Sequence, residues 1–120
     1  NITAVYTHKQ TMRILKKIKK SSNVIISIFA GRAGDVGKDP IPEIKKSIKI
    51  AKNFKNVKIL WASVREPYNY LQASQLGCHI ITVPPSIIDK IDKFGKTFKQ
   101  LTKETVKTFL EDSMKSNFKI

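Results

Sequence analysis

The chain is short of cysteine, of long apolar runs and of acidic residues, and each shortage excludes something. Its single cysteine, Cys78, rules out an internal disulfide framework and a cysteine-based zinc cluster. It also suits a reducing cytosol, where the protein is expected to reside. No apolar stretch approaches the roughly 18 residues that cross a bilayer, so no membrane partner is expected. Glycine clusters once, in Gly31-Arg32-Ala33-Gly34-Asp35-Val36-Gly37, which has neither G-x-G-x-x-G spacing nor the Lys-Ser/Thr ending of a P-loop. Both nucleotide motifs therefore fail. With 41% hydrophobic residues in 120, the chain can still bury the core of one compact domain. Position 1 is Asn and leads straight into an apolar strand-like run, so the chain reads as a piece of a longer one.

Nine acidic residues stand against 23 Lys and Arg, a formal charge of +14. The excess is concentrated in residues 1–60, with 14 basic and 3 acidic groups, which is one footprint of a nucleic-acid surface. The pattern argues otherwise. Lys16, Lys17, Lys19 and Lys20 alternate with Ile14, Leu15 and Ile18, and Lys45, Lys46, Lys49 and Lys52 with Ile44 and Ile48, as on the wet faces of amphipathic helices. No aromatic residues are interleaved to stack on bases. Lysine (20) and isoleucine (17) both have AT-rich codons, so genome composition accounts for the charge and no nucleic-acid partner is expected.

Four short apolar runs, 2–6, 24–29, 57–61 and 79–83, start 22, 33 and 22 residues apart. Helix signals follow them. Thr7 and Gln10 have capping-box spacing; Pro42 opens a stretch to about Phe54; a third runs from Pro67 to Leu76, with Gly77 placed to end it. A short helix is expected over 86–91, and a longer one capped by Thr102 with Val106, Phe109, Leu110 and Met114 on one face. The order βαβαβαβα, with strands apolar at consecutive positions, predicts an α/β fold with a parallel sheet.

In such folds ligands bind at the C-terminal ends of the strands. Thr7, Ser27, Arg32, Ser63, Arg65 and Thr82 fall in or after the strands. Only three arginines accompany the 20 lysines, and two of them, Arg32 and Arg65, follow successive strands. A guanidinium offers a planar fork that matches two phosphate oxygens, which an ammonium does not. The bland alternative pairs Arg32 with Asp35, and Arg65 with Glu66 or solvent. Asp35 orienting Arg32 is compatible with both. His8 and His79 are too far apart in the pattern to form a metal pair, and Cys78 reads as a small buried residue.

Four segments then carry a resemblance. They are Asn1-Ile2-Thr3-Ala4-Val5-Tyr6-Thr7 with Gln10; Phe29-Ala30-Gly31-Arg32-Ala33-Gly34-Asp35 running on to Asp39-Pro40; Leu60-Trp61-Ala62-Ser63-Val64-Arg65-Glu66; and Gly77-Cys78-His79-Ile80-Ile81-Thr82-Val83-Pro84. In this order they resemble the transaldolase family, including its short fructose-6-phosphate-aldolase-like branch, over nearly the whole chain. Ala33 departs from the larger aliphatic residue common there.

The resemblance implies an α/β fold, the C-terminal half (strands five to eight) of a (β/α)8 TIM barrel, so that residues 1–120 form a partial barrel lacking its N-terminal half. It implies a class I aldolase mechanism, in which a lysine forms a Schiff base with a ketose phosphate and a dihydroxyacetone unit is transferred or released. That lysine ends strand four in the family and is therefore expected outside this chain. Asn1 and Thr3 resemble residues that position substrate hydroxyls or the catalytic water, Ser27 another pocket hydroxyl, and Arg32, Ser63 and Arg65 the phosphate clamp. The expected partner is a sugar phosphate in the pentose phosphate pathway. No cofactor or metal is expected, and the full-length protein is expected to form homo-oligomers. A noncatalytic sugar-phosphate-binding half-barrel and a basic nucleic-acid-binding domain remain the alternatives.

Overall fold

A computed structural model of the chain describes residues 1–116. Its elements are β1 (Ile2–Val5), α1 (His8–Lys17), β2 (Val24–Phe29), α2 (Ala30–Asp35), α3 (Ile41–Ala51), β3 (Val57–Ala62), α4 (Tyr68–Leu76), β4 (Ile80–Ile81), α5 (Pro85–Ile91) and α6 (Phe98–Lys115). The four strands form one sheet in the order β1-β2-β3-β4, and each neighbouring pair is parallel. A fragment of a (β/α)8 barrel has this arrangement.

The central pair is in continuous register, with Val24, Ile26 and Ile28 opposite Val57, Ile59 and Trp61. These residues share one face by the two-residue period of a strand. Ile26, Ile28, Ile59 and Trp61 are buried there in one cluster with Leu15, Ile44, Ala51 and Ala73 from α1, α3 and α4. On the opposite face, Ser27, Leu60 and Ala62 are buried, while Ile25 and Phe29 are half-buried.

The helix starts follow local chemistry. Gln10 N–H donates to Thr7 Oγ1 (3.2 Å), and Gln10 Oε1 accepts from the backbone N–H of Thr7 (3.0 Å), so the expected capping box opens α1. Gly77 (φ +81°) ends α4 in the left-handed conformation that glycine adopts without penalty. The last helix corrects an expectation: its cap is Thr97, which forms a capping box with Gln100, and Thr102 lies inside it, donating to the Phe98 carbonyl. Thr97 has the same Thr-x-x-Gln spacing that marked Thr7. Val106, Phe109, Leu110 and Met114 do lie on α6, but they are exposed, and α6 buries no residue. It draws the radius of gyration out to 19.4 Å, against about 13–14 Å for a compact chain of this length.

Helices α1 and α3 are joined by two polar contacts. Thr11 and Ser47, both wholly buried, share a hydrogen bond of 2.9 Å. Glu43 Oε2 accepts from the His8 backbone N–H and lies against His8 Nδ1, each at 2.6 Å. A carboxylate thus satisfies one of the orphan donors at the start of α1. That backbone hydrogen bond is the main cause holding the Glu43 carboxyl below its ordinary range, reinforced by the His8 side chain and opposed by desolvation.

The last constraint is a close approach. Ser63, just past β3, has φ +65°, a left-handed conformation uncommon for a residue with a side chain. It brings the Ser63 carbonyl against Gly31 near the start of α2. A Cβ on Gly31 would run into that oxygen and come within 2.8 Å of Arg65 Cγ.

Two measurements check these contacts. Gly31→Ala should lower stability by about 1–3 kcal/mol through overpacking, read as a lower urea midpoint. Gly34→Ala, in the same helix with nothing within 4 Å, should instead raise stability by about 0.5–1 kcal/mol. Because Glu43 titrates lower folded than unfolded, its contribution is complete above the ordinary glutamate value of about 4.3 and is lost as pH falls below it. The midpoint advantage of wild type over Glu43→Gln should therefore shrink from pH ~6 to pH ~3.

Candidate functional site

Of the polar residues picked out along the chain, Arg32, Ser63 and Arg65 stand just past the C-terminal ends of β2 and β3, Thr7 follows β1 and Thr82 follows β4. Asn1 and Ser27 meet further down the sheet, where β1 pairs with β2 through Ile2 and Ile26. The buried Ser27 hydroxyl donates to Asn1 Oδ1 at 2.7 Å. Thr3 stands exposed on β1, and its side chain makes no hydrogen bond among the described residues.

Arg32 lies on α2, immediately after β2, and lines a cavity of about 500 Å³ with Tyr6, Thr7, Lys38, Asp39 and Glu43. Arg65 follows β3 and lines a neighbouring cavity of about 300 Å³ with Trp61, Asp35, Glu66 and Asn69. Asp39 and Pro40 border both. Ser63, two residues before Arg65, is half-buried in its left-handed turn. The loop carrying Arg65 is tied down by Asn69, whose Oδ1 accepts from the backbone N–H groups of Arg65 (3.0 Å) and Glu66 (3.1 Å).

The ion pairing differs from both expected arrangements. Asp35 binds Arg65, not Arg32: Nε donates to Oδ1 (3.3 Å) and Nη2 to Oδ2 (2.8 Å). Among the described residues no carboxylate lies within ion-pair distance of Arg32, and Glu66 makes no ion pair. Spacing of three residues on one helix favoured the Arg32–Asp35 pair. Parallel pairing of β2 with β3 instead sets the loop after β3 beside α2, where Gly31 admits the Arg65 stem. The Arg65 hydrogen bond is the largest cause of a lowered Asp35 carboxyl, against desolvation, with the Arg65 and Arg32 charges adding to it. The same bond raises Arg65.

Sequence reasoning missed Gly31 as a packing requirement and Glu43 as the partner of His8. A glycine directly after a strand end was the available signal for the first; nothing local marked the second. Burial pushes the Cys78 thiol up to about 11, which makes it a poor nucleophile. His79 Nδ1 accepts from the Ile59 backbone N–H (3.0 Å) at the N-terminal side of the sheet, away from His8. Among the described residues no group of His, Cys, Asp and Glu could hold a metal ion. Arg32 and Arg65 thus place guanidinium donors in two neighbouring cavities at adjacent strand ends, and Ser63 lines neither cavity.

Comparison with known proteins identifies a family and its relatives. The family model described as Transaldolase/Fructose-6-phosphate aldolase matches residues 1–120. A probable transaldolase of Nitrosopumilus maritimus is 33% identical over 114 residues, covering 93% of this chain and 47% of that protein. A probable transaldolase of Thermoanaerobacter is 31% identical over 121 residues, covering 100% of this chain and 52% of that protein. The chain thus spans about half the length of the curated relatives it matches. Matched along its entire length by that one family model, the chain belongs to the transaldolase/fructose-6-phosphate aldolase family.

Proposed function

We propose that this chain is the phosphate-binding side of a class I aldolase or transaldolase, corresponding to strands five to eight of the barrel. The carrying observation is the pair of arginines after adjacent parallel strands, Arg32 and Arg65, with Ser63 after the same strand as Arg65. Three donors of this kind suit the phosphate of a ketose phosphate. Asn1 and Ser27, linked by their hydrogen bond, supply hydroxyl-facing groups deeper in the barrel, with Thr3 beside them on β1. They are positioned to orient the sugar or a water at the reacting carbon.

The Schiff-base lysine belongs to the preceding βα unit, roughly 20–30 residues before Asn1. A lysine that attacks a carbonyl needs a desolvated pocket that favours its neutral amine. Every described lysine of this chain is exposed. The edges of β1 and β4 that lack a strand neighbour, and the exposed apolar side chains of α6, are surfaces that a longer protein would cover. The full-length protein transfers or releases a dihydroxyacetone unit as a soluble cytoplasmic enzyme.

Two experiments check this. Incubating the 120-residue chain with fructose 6-phosphate and borohydride should leave its mass unchanged, since no lysine here forms the imine. A single specific adduct would locate the nucleophile within the chain and overturn the assignment. In the full-length protein, Arg65→Lys keeps the charge and loses the fork. Charge-assisted hydrogen bonds contribute on the order of 1.5–3 kcal/mol, so kcat/KM for a phosphorylated ketose should fall roughly 10- to 100-fold. The loss on unphosphorylated dihydroxyacetone should be far smaller, and Arg13→Lys on α1 should change neither. Equal losses on both substrates would assign Arg65 to folding.

A further inference from the structure

The contact between Asp35 and Arg65 has a geometry that matters for anion binding. A guanidinium carries five N–H groups in one plane. Asp35 approaches from the side, taking Nε and Nη2. Three N–H groups remain, including the end-on fork of Nη1 and Nη2 that matches two oxygens of a phosphate. No other acceptor engages the Arg65 side chain among the described residues. The stem is seated too, since Arg65 Cγ lies where only a glycine at position 31 leaves room.

Both side chains are about half exposed, at 51% and 52%. An ion pair so exposed contributes little to stability, because solvent and salt screen it. Holding the guanidinium plane in one orientation is a separate effect. A long side chain otherwise loses rotamer freedom when it binds, and that cost falls when the orientation is set in advance. Arg32, three residues before Asp35 on the same helix, adds a second cation close enough to favour the ionised carboxylate. The three groups together carry one net positive charge toward an incoming anion.

We propose that Asp35 is a positioning residue for phosphate recognition: it grips Arg65 side-on and keeps the end-on fork open for two phosphate oxygens. The inference rests on Arg65 being a phosphate ligand. A purely electrostatic role for Asp35 has the opposite consequence. Removing a carboxylate beside two arginines strengthens the attraction for any anion. The sign of the change in phosphate affinity therefore separates the two.

The test uses the full-length protein titrated with inorganic phosphate, followed through the arginine Nε–H signals in a proton–nitrogen correlation spectrum. Asp35→Asn keeps the size of the side chain but has one acceptor oxygen in place of two. The Arg65 Nε–H signal should move toward the position of exposed arginines. Phosphate Kd should rise roughly tenfold, the scale of one charge-assisted contact. Asp35→Glu, with both oxygens on a longer stem, should recover part of the loss, while the thermal midpoint of either variant hardly moves. If Arg65→Lys weakens phosphate binding but Asp35→Asn leaves it unchanged or tightens it, the positioning role is overturned and the phosphate site stands. If Arg65→Lys itself leaves binding unchanged, the phosphate reading fails and the positioning role with it.

Discussion

Parallel strands cannot be joined by a tight turn, so the chain between β2 and β3 must cross the sheet before it returns. That crossover consists of α2 and α3, and its ends are held by a six-residue register from Val24 opposite Val57 to Phe29 opposite Ala62. Burying each aliphatic side chain contributes about 1.5–3 kcal/mol, and Ile26, Ile28 and Ile59 are all buried in one cluster with the helices. A register slip of one residue would turn Ser27 and Lys58 toward the helices in their place. The register thus holds the ends of β2 and β3 side by side, and the donor groups stand there.

Within that frame, α2 carries Arg32 and Asp35 at the strand ends. It is six residues long and lacks a side-chain cap at its start. Its position depends on backbone meeting backbone, the Ser63 carbonyl against Gly31. The left-handed φ of Ser63 belongs to this contact, since it is the turn that delivers the carbonyl. Strain of that kind persists only where the surrounding structure over-determines it. Here the Asn69 side chain accepts from the backbone N–H groups of Arg65 and Glu66, and Asp35 ties the Arg65 side chain.

Charge is distributed along the strand direction. The acidic residues of the first half, Asp35, Asp39 and Glu43, all lie near the C-terminal strand ends, and each has a donor: Arg65, the Ile41 N–H and His8. Lys16 and Lys17 close α1 and Lys49 closes α3, at helix C-termini where a cation is favoured by the backbone dipoles. The surplus of lysine is thus largely a solvated helix surface. The local balance around Arg32 and Arg65 comes from a few engaged carboxylates.

The four strands, the helices other than α2, the capping box at Thr7, the stop at Gly77 and the placement of Arg32 and Arg65 after successive strands were legible in the sequence; α2 was not, because two glycines in six residues are a weak helix signal. Each legible feature depends on residues close together in the chain: a period of hydrophobicity, a cap and its partner three positions on, a glycine free to adopt positive φ. The true cap of α6, Thr97, had the same local signature, and the reading passed over it in favour of a threonine inside the helix. The identity of Asp35's partner was of another kind. On one helix Arg32 is its natural neighbour, and only parallel pairing across 30 positions brings Arg65 to it. The hydrogen bonds from Ser27 to Asn1 and from His8 to Glu43 likewise join residues 26 and 35 positions apart. Local sequence determined which groups stand at the strand ends; which of them touch was decided by the tertiary structure, because strand register and crossover packing set those distances.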